Sequence, residues 1–272
     1  MSKHILLVHD LAGYGKVSLS AMMPVLSHMG HHLYTLPTAL VSNTLDYGKF
    51  YIQETTEYMR QSLKVWKELG FTFDIVSTGM IMSAEQAALV SDFCAQSAKK
   101  GVLIFVDPIM GDEGMLYNGV GEETIAHMRN MVAVADCIVP NYTEAAYLAD
   151  LPYQQELTEE AAHALVEKLH QMGAKSVVVT SAKVEGADCV IGYDGTKGEF
   201  FRIPFDMIPV RFVGTGDIFS AVMLGRMADG VPLQAAVRSA MDAVRIMIER
   251  NRDKEDKYLG IPIETCLEVL DR

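Results

Sequence analysis

Near the end of the chain, Gly214-Thr215-Gly216-Asp217 sets two glycines and a carboxylate at the start of a helical pattern. Ile218, Phe219, Val222 and Met223 recur there on one face. Glycines before a helix allow close backbone approach, and the free N–H groups form an anion hole at the positive end of the helix dipole. The same dipole keeps an aspartate in the first turn ionised. An ionised Asp217 beside Gly214, Thr215 and Gly216 is suited to orient a hydroxyl and take its proton during phosphoryl transfer. Positioning and charge stabilisation matter more there than base strength. Taken alone, the stretch also suits an aspartate that caps its own helix, with glycines for the turn.

Two further stretches carry hard oxygen donors. In Val106-Asp107-Pro108-Ile109-Met110-Gly111-Asp112, two aspartates follow an apolar strand run. In Pro140-Asn141-Tyr142-Thr143-Glu144, an amide and a carboxylate stand one turn apart at a helix start and face the same side. Magnesium takes oxygen ligands, keeps several waters and is held by one or two carboxylates plus phosphates. Asp107, Asp112 and Glu144 are suited to such a shell. Singly, each also suits a cap or a turn.

A third glycine loop lies near the start, in His9-Asp10-Leu11-Ala12-Gly13-Tyr14-Gly15-Lys16-Val17-Ser18. It approaches two phosphate motifs and misses both. In the Walker pattern Gly15-Lys16 needs Ser or Thr next, and Val17 stands there; Asp10 stands at the position of the missing first glycine. In the dinucleotide pattern the second strand should end in an acid, but it ends in Leu36-Pro37-Thr38-Ala39-Leu40-Val41. Asp10 at the loop mouth would repel a phosphate. A tight glycine turn, or a pocket for a neutral or cationic group, fits better.

The elements that must position these residues alternate. Strand runs fall at 4–8, 33–37, 74–78, 102–106, 137–139 and 176–181, and helical patterns near 17–29, 55–69, 83–99, 121–132, 142–149 and 158–172. Several strands are apolar on both faces, as buried parallel strands are. The pattern predicts βαβ units, hence an α/β fold with a mostly parallel central sheet flanked by helices on both faces. Residues 187–203 predict an antiparallel edge hairpin around Asp194-Gly195, and 216–229, 232–250 and 261–271 predict helices. No linker or repeat divides residues 1–272, which predicts one domain. Ligands of open parallel sheets sit outside the strands' carboxyl ends, and the polar exits His9-Asp10, Thr38, Thr78-Gly79, Asp107-Pro108, Pro140-Asn141 and Thr180-Ser181 share that edge.

Composition narrows the function classes. The 272 residues are 50% hydrophobic with net charge −12. That acidity argues against nucleic acid or an anionic membrane as partner. No apolar run reaches a membrane span's length, and no signal-peptide pattern opens the chain. Cys94, Cys137, Cys189 and Cys266 are scattered, which suits reduced thiols in the cytoplasm.

The three motifs together resemble the ribokinase-like kinases, specifically the vitamin B6 group that acts on pyridoxal, pyridoxine and pyridoxamine. The resemblance covers essentially the whole chain. Residues 42–50 resemble the segment those enzymes fold over the pyridine ring, and residues 77–81 their third-strand exit. It implies a ribokinase-like sandwich without a large lid domain, usually a homodimer. Its reaction would be phosphorylation of a vitamer's 5′-hydroxymethyl group from ATP with Mg2+, a monovalent cation being a further expectation. Carried over by position, Asp217 is the base and Gly214–Gly216 the anion hole. Asp107, Asp112, Asn141, Glu144 and Thr180 fall in the nucleotide and magnesium region, with Asp107 and Glu144 as metal groups acting partly through water. Asp10, Thr44, Asp46 and Met80 fall where the vitamin binds. Three of these depart from the family pattern: Asp10 replaces a serine that faces the ring nitrogen, Thr44 stands one place early, and Met80 replaces a ring-packing tyrosine. Asp10 thus predicts a preference for a cationic group on the ligand. The alternatives are a hydroxymethylpyrimidine (phosphate) kinase of the same superfamily and a non-catalytic vitamer-binding protein.

Overall fold

The computed structural model describes residues 2–117 and 120–271. Two compact units make up the chain, Met1–Ser77 with Ile208–Arg272, and Thr78–Met207.

The first unit opens with β1 (His4–Val8), buried from Ile5 to Val8. Four consecutive buried apolar residues mark a strand covered on both faces. After it come β2 (Leu11–Ala12), α1 (Leu19–His28), β3 (His32–Thr35), β4 (Ala39–Val41), a 3-10 turn at Leu45–Tyr47, β5 (Ile52–Glu54), α2 (Thr56–Leu69) and β6 (Ile75–Thr78). β1 lies between β3 and β6 and pairs in parallel with β3, Leu7 opposite Thr35. β2, β4 and β5 form a separate three-stranded sheet beyond the exit of β1.

The second unit holds α3 (Ala84–Ala98), β7 (Leu103–Val106), β8 (Gly111–Asp112), β9 (Met115–Leu116), α4 (Glu122–Val132), β10 (Cys137–Ile138), α5 (Tyr142–Ala149), α6 (Glu159–Gln171), β11 (Ser176–Val184), β12 (Ala187–Asp194) and β13 (Glu199–Pro204). Its strand order is β7-β10-β11-β12-β13. The first three run parallel, and β12 and β13 form the expected antiparallel edge hairpin. Asp194 Oδ1 holds the hairpin turn by accepting from the Thr196 N–H at 3.0 Å.

The chain then returns to the first unit with α7 (Thr215–Ala228) and α8 (Leu233–Asn251). The sequence predicts a helix at 261–271, but the structure has two 3-10 turns, Ile263–Thr265 and Leu267–Asp271. Cys266 leaves helical geometry at φ −130° and breaks the run. So short a helix is marginal alone, and buried Ile263, Val269 and Leu270 hold the tighter turns instead. The result is an α/β fold with a mostly parallel sheet, as the sequence predicts.

Candidate active site

In the first unit, α7 starts as the sequence requires. Gly214 is its N-cap, in the left-handed region at φ +79°, and as a glycine it brings no capping side chain of its own. Thr215, Gly216 and Asp217 are the first three helical residues, so Asp217 sits in the first turn and not at the cap. A Cβ on Gly214 would lie 2.0 Å from the Lys16 carbonyl oxygen, whereas one on Gly216 would meet nothing within 4 Å. The first-turn N–H groups of a helix have no intrahelical acceptors. This start is therefore anchored at Gly214 and open at Gly216.

The early glycine loop is closed. Gly13 donates to the Val41 carbonyl at 2.7 Å, and a Cβ on it would come within 3.2 Å of the Ser42 carbonyl. Gly15, at φ +123°, presses on the Thr44 methyl. Only Gly15 has a positive φ; Gly13 serves close approach instead. Lys16 pairs with Glu264, and its N–H donates to the Leu259 carbonyl at 2.8 Å. Lysine and loop are thus committed to packing.

Beside this loop the residues expected to bind the acceptor take different positions. Asp10, at the exit of β1, is 7% exposed. Burial raises its carboxyl above the usual carboxylate range, and the Ser18 hydroxyl draws it partly back. Its neighbour His9 is fully buried, with Nε2 3.1 Å from the Ser77 hydroxyl. Burial lowers the imidazole to about 3, so it is neutral and offers Asp10 no counter-charge. Thr44 is buried, and its hydroxyl donates to the Tyr258 carbonyl at 2.7 Å. Asp46 lies 3.6 Å from Arg211.

The second unit gathers the other cluster. Asn141 caps α5 in a reciprocal box: its side chain accepts from the Glu144 N–H at 2.9 Å, and Glu144 Oε2 accepts from the Asn141 N–H at 2.8 Å. Glu144 Oε1 accepts from Met110 (2.9 Å) and Gly111 (3.5 Å), while Asn141 Nδ2 donates to the Gly111 carbonyl at 2.7 Å. The start of α5 thereby clamps the segment after β7. Thr180 joins at a register break in β11, its N–H donating to Pro140 at 2.9 Å. Asp107 is buried, and its N–H donates to Thr78 at 2.9 Å. Burial, then the charge of Asp107, pushes Glu144 well above the usual carboxylate range. Asp112 is a different case: Oδ1 accepts from the Glu113 N–H at 2.9 Å in its own turn. Among the described residues no three His, Cys, Asp or Glu side chains converge to hold a metal. Asp107 and Glu144 are the pair that burial and charge couple, and Asp112 also holds its own turn. Met80 is half-buried, two residues past β6.

Comparison with known proteins adds to this geometry. The phosphomethylpyrimidine kinase family model matches residues 19–260. The chain belongs to that family. Pyridoxal kinase of Arabidopsis thaliana is 32% identical over 181 residues, covering 64% of this chain and 57% of that one. Pyridoxal kinase of Sus scrofa is 33% identical over 171 residues, covering 56% and 52%. The matched stretches thus span just over half of each of these relatives. A Bacteroides thetaiotaomicron protein assigned to the phosphomethylpyrimidine kinases, solved with pyridoxal, is 34% identical with a TM-score of 0.95, covering 100% of this chain and 96% of that one. Pyridoxal kinase from Lactobacillus plantarum is 27% identical with a TM-score of 0.88, covering 98% and 96%. The expected reaction class holds: this family member is a kinase that transfers phosphate to an alcohol group. Among the described residues no helix is long and apolar enough to cross a membrane.

Sequence reasoning passed over His9, Tyr47 and Asp256. His9 was legible only as part of a polar strand exit. Tyr47 lies in the 42–50 segment, but its partner Asp256, 209 positions away, carries no motif.

Proposed function

We propose that this kinase phosphorylates the 5′-hydroxymethyl group of a vitamin B6 vitamer from ATP. One observation carries the assignment of roles: α7 begins anchored at Gly214, with open space at Gly216 and Asp217 in its first turn. Asp217 accepts the proton of the acceptor hydroxyl, and the Thr215 and Gly216 N–H groups face the charge that grows on the transferring phosphoryl group. Asn141, just past β10, and Thr180, at the register break within β11, are joined by a parallel bridge and serve the triphosphate, and Asp112 lies in the loop beside them.

Buried Asp107 and Glu144 fit a divalent cation, since hard oxygens in a desolvated, mutually repulsive pair gain from a positive partner. Glu144 already accepts three backbone N–H groups, which supports contact through water. Magnesium there would supply charge neutralisation for the phosphates.

On the acceptor side Asp10 is a buried carboxylate beside a neutral histidine, which supports a protonated ring nitrogen or amine on the ligand. In this reading Thr44, Asp46 and Met80 belong to the acceptor side. The reading includes one kinase domain over 1–272, a homodimer and a cytoplasmic setting, the last supported by four buried cysteines without disulfides.

The test is ADP release with pyridoxal, pyridoxine, pyridoxamine and hydroxymethylpyrimidine. Turnover of one vitamer with kcat/KM about tenfold or more above the pyrimidine, a difference of about 1.4 kcal/mol, is expected. The reverse ranking makes the chain a pyrimidine kinase. Tight vitamer binding without ADP release makes it a binding protein.

A further inference from the structure

Two ties of different kind join residues 42–50 to the loop 254–260, all within the first unit. The Thr44 tie is partly buried: Thr44 itself is buried, its hydroxyl donates to the Tyr258 carbonyl at 2.7 Å, and its N–H donates to the Tyr14 carbonyl at 3.1 Å. The Tyr47 tie is at the surface, where its hydroxyl donates to Asp256 Oδ2 at 2.5 Å. Asp256 is aimed by its own loop, because Oδ1 accepts from the N–H groups of Tyr258 (3.0 Å) and Leu259 (3.2 Å). The rings follow the same path. Tyr47 stands edge-on to Tyr258 at 5.7 Å and tilted to Tyr14 at 6.1 Å.

The two ties should respond differently to thermal motion. A buried hydroxyl loses its only partner on opening, whereas an exposed phenol and carboxylate exchange each other for water at small net cost. Thr44 is therefore the fixed end and Tyr47 the end that opens. Gly48, at φ +73°, ends the 3-10 turn just beyond it. The bond to Asp256 pushes the Tyr47 phenol up to about 12, which keeps its proton in place as donor at neutral pH.

We infer that Tyr47 and Asp256 form a clasp that closes residues 42–50 over the acceptor, with Asp256 a positioning residue for acceptor binding. The inference rests on the reading that this segment covers the acceptor. Asp256 touches no reacting group; it acts through Tyr47.

The test compares wild type with Tyr47→Phe, Asp256→Ala and the double variant. Tyr47→Phe keeps the ring packing and removes only the hydroxyl. Acceptor KM should rise about three- to tenfold in each single variant, with ATP KM within about twofold of wild type, as for loss of one charge-assisted hydrogen bond. The double variant should be no worse than the single ones, because the two residues form one unit. Trypsin cleavage after Lys49, followed without any substrate, should quicken several-fold in all three at unchanged Tm. Equal rises in both KM values, additive single effects, or unchanged cleavage at Lys49 would overturn the clasp. The proteolysis arm needs no acceptor, so failure of the vitamer assignment and failure of the clasp are read separately.

Discussion

Two glycine-led helix starts stand in the first unit, and they behave oppositely. Before α1, Gly13 and Gly15 are filled by the Ser42 carbonyl and the Thr44 methyl, Lys16 is paired with Glu264, and no acidic residue lies in the first turn. Before α7, Gly214 rests on the Lys16 carbonyl, space lies over Gly216, and Asp217 follows. Both look like phosphate loops as strings of letters. What separates them is what occupies the volume a side chain would fill. A glycine that lets two backbones touch is a packing device, and a glycine beside open space at a helix start leaves the first-turn N–H groups room for a ligand.

The contrast can be broken most sharply at Asp217. Asp217→Asn should lower kcat by about a hundredfold to ten-thousandfold, the range for a positioned general base, with ATP binding by calorimetry nearly unchanged. Near-normal turnover would remove the base assignment. The glycines give the next largest effect. Gly214→Ala should cost about 2 kcal/mol or more in denaturant unfolding, from positive φ and the Lys16 contact. Gly216→Ala should fold within about 0.5 kcal/mol of wild type. Its kcat should still fall about tenfold, a loss of about 1.4 kcal/mol of transition-state stabilisation. If Gly216→Ala turned over like wild type, α7 would not be the transfer site.

Asp10 sharpens the role of the closed loop. Asp10→Ser should reduce kcat/KM for the most cationic vitamer about tenfold relative to the others, one charge-assisted contact being the difference. An unchanged ranking would detach Asp10 from substrate choice. The smallest effect is expected at Lys16. Lys16→Met breaks a surface ion pair and should leave ATP KM within about twofold, with stability changed by about 1 kcal/mol or less. A hundredfold rise in ATP KM would restore the early loop as the phosphate cradle.

Much of this was legible in the sequence where local pattern decides. Buried runs such as Ile5–Val8 and Val177–Val179 signal parallel strands, and the apolar face of 218–223 fixes the direction of α7. The capping box of Asn141 and Glu144 follows from their spacing. The small sheet was not legible, because β2, β4 and β5 are two or three residues long and have no period of their own. Long-range partners were silent too: Lys16 meets Glu264 across 248 positions, and nothing in either segment announces it. The distinction between Asp107 and Asp112 also needed structure, since both follow β7 and only packing shows which one serves the turn.

One contact reaches further. The Lys16 carbonyl lies under two left-handed glycines: a Cβ would sit 2.0 Å from it at Gly214 and 2.9 Å from it at Gly260, at φ +79° and +83°. In a randomised library sorted for cellular abundance, positions 214 and 260 would empty together, although 46 residues separate them. Position 216 would keep its alanines through that sort and lose them only when the survivors were selected for growth that depends on the kinase's turnover. The same four-letter motif would split into a half that the fold requires and a half that the reaction requires.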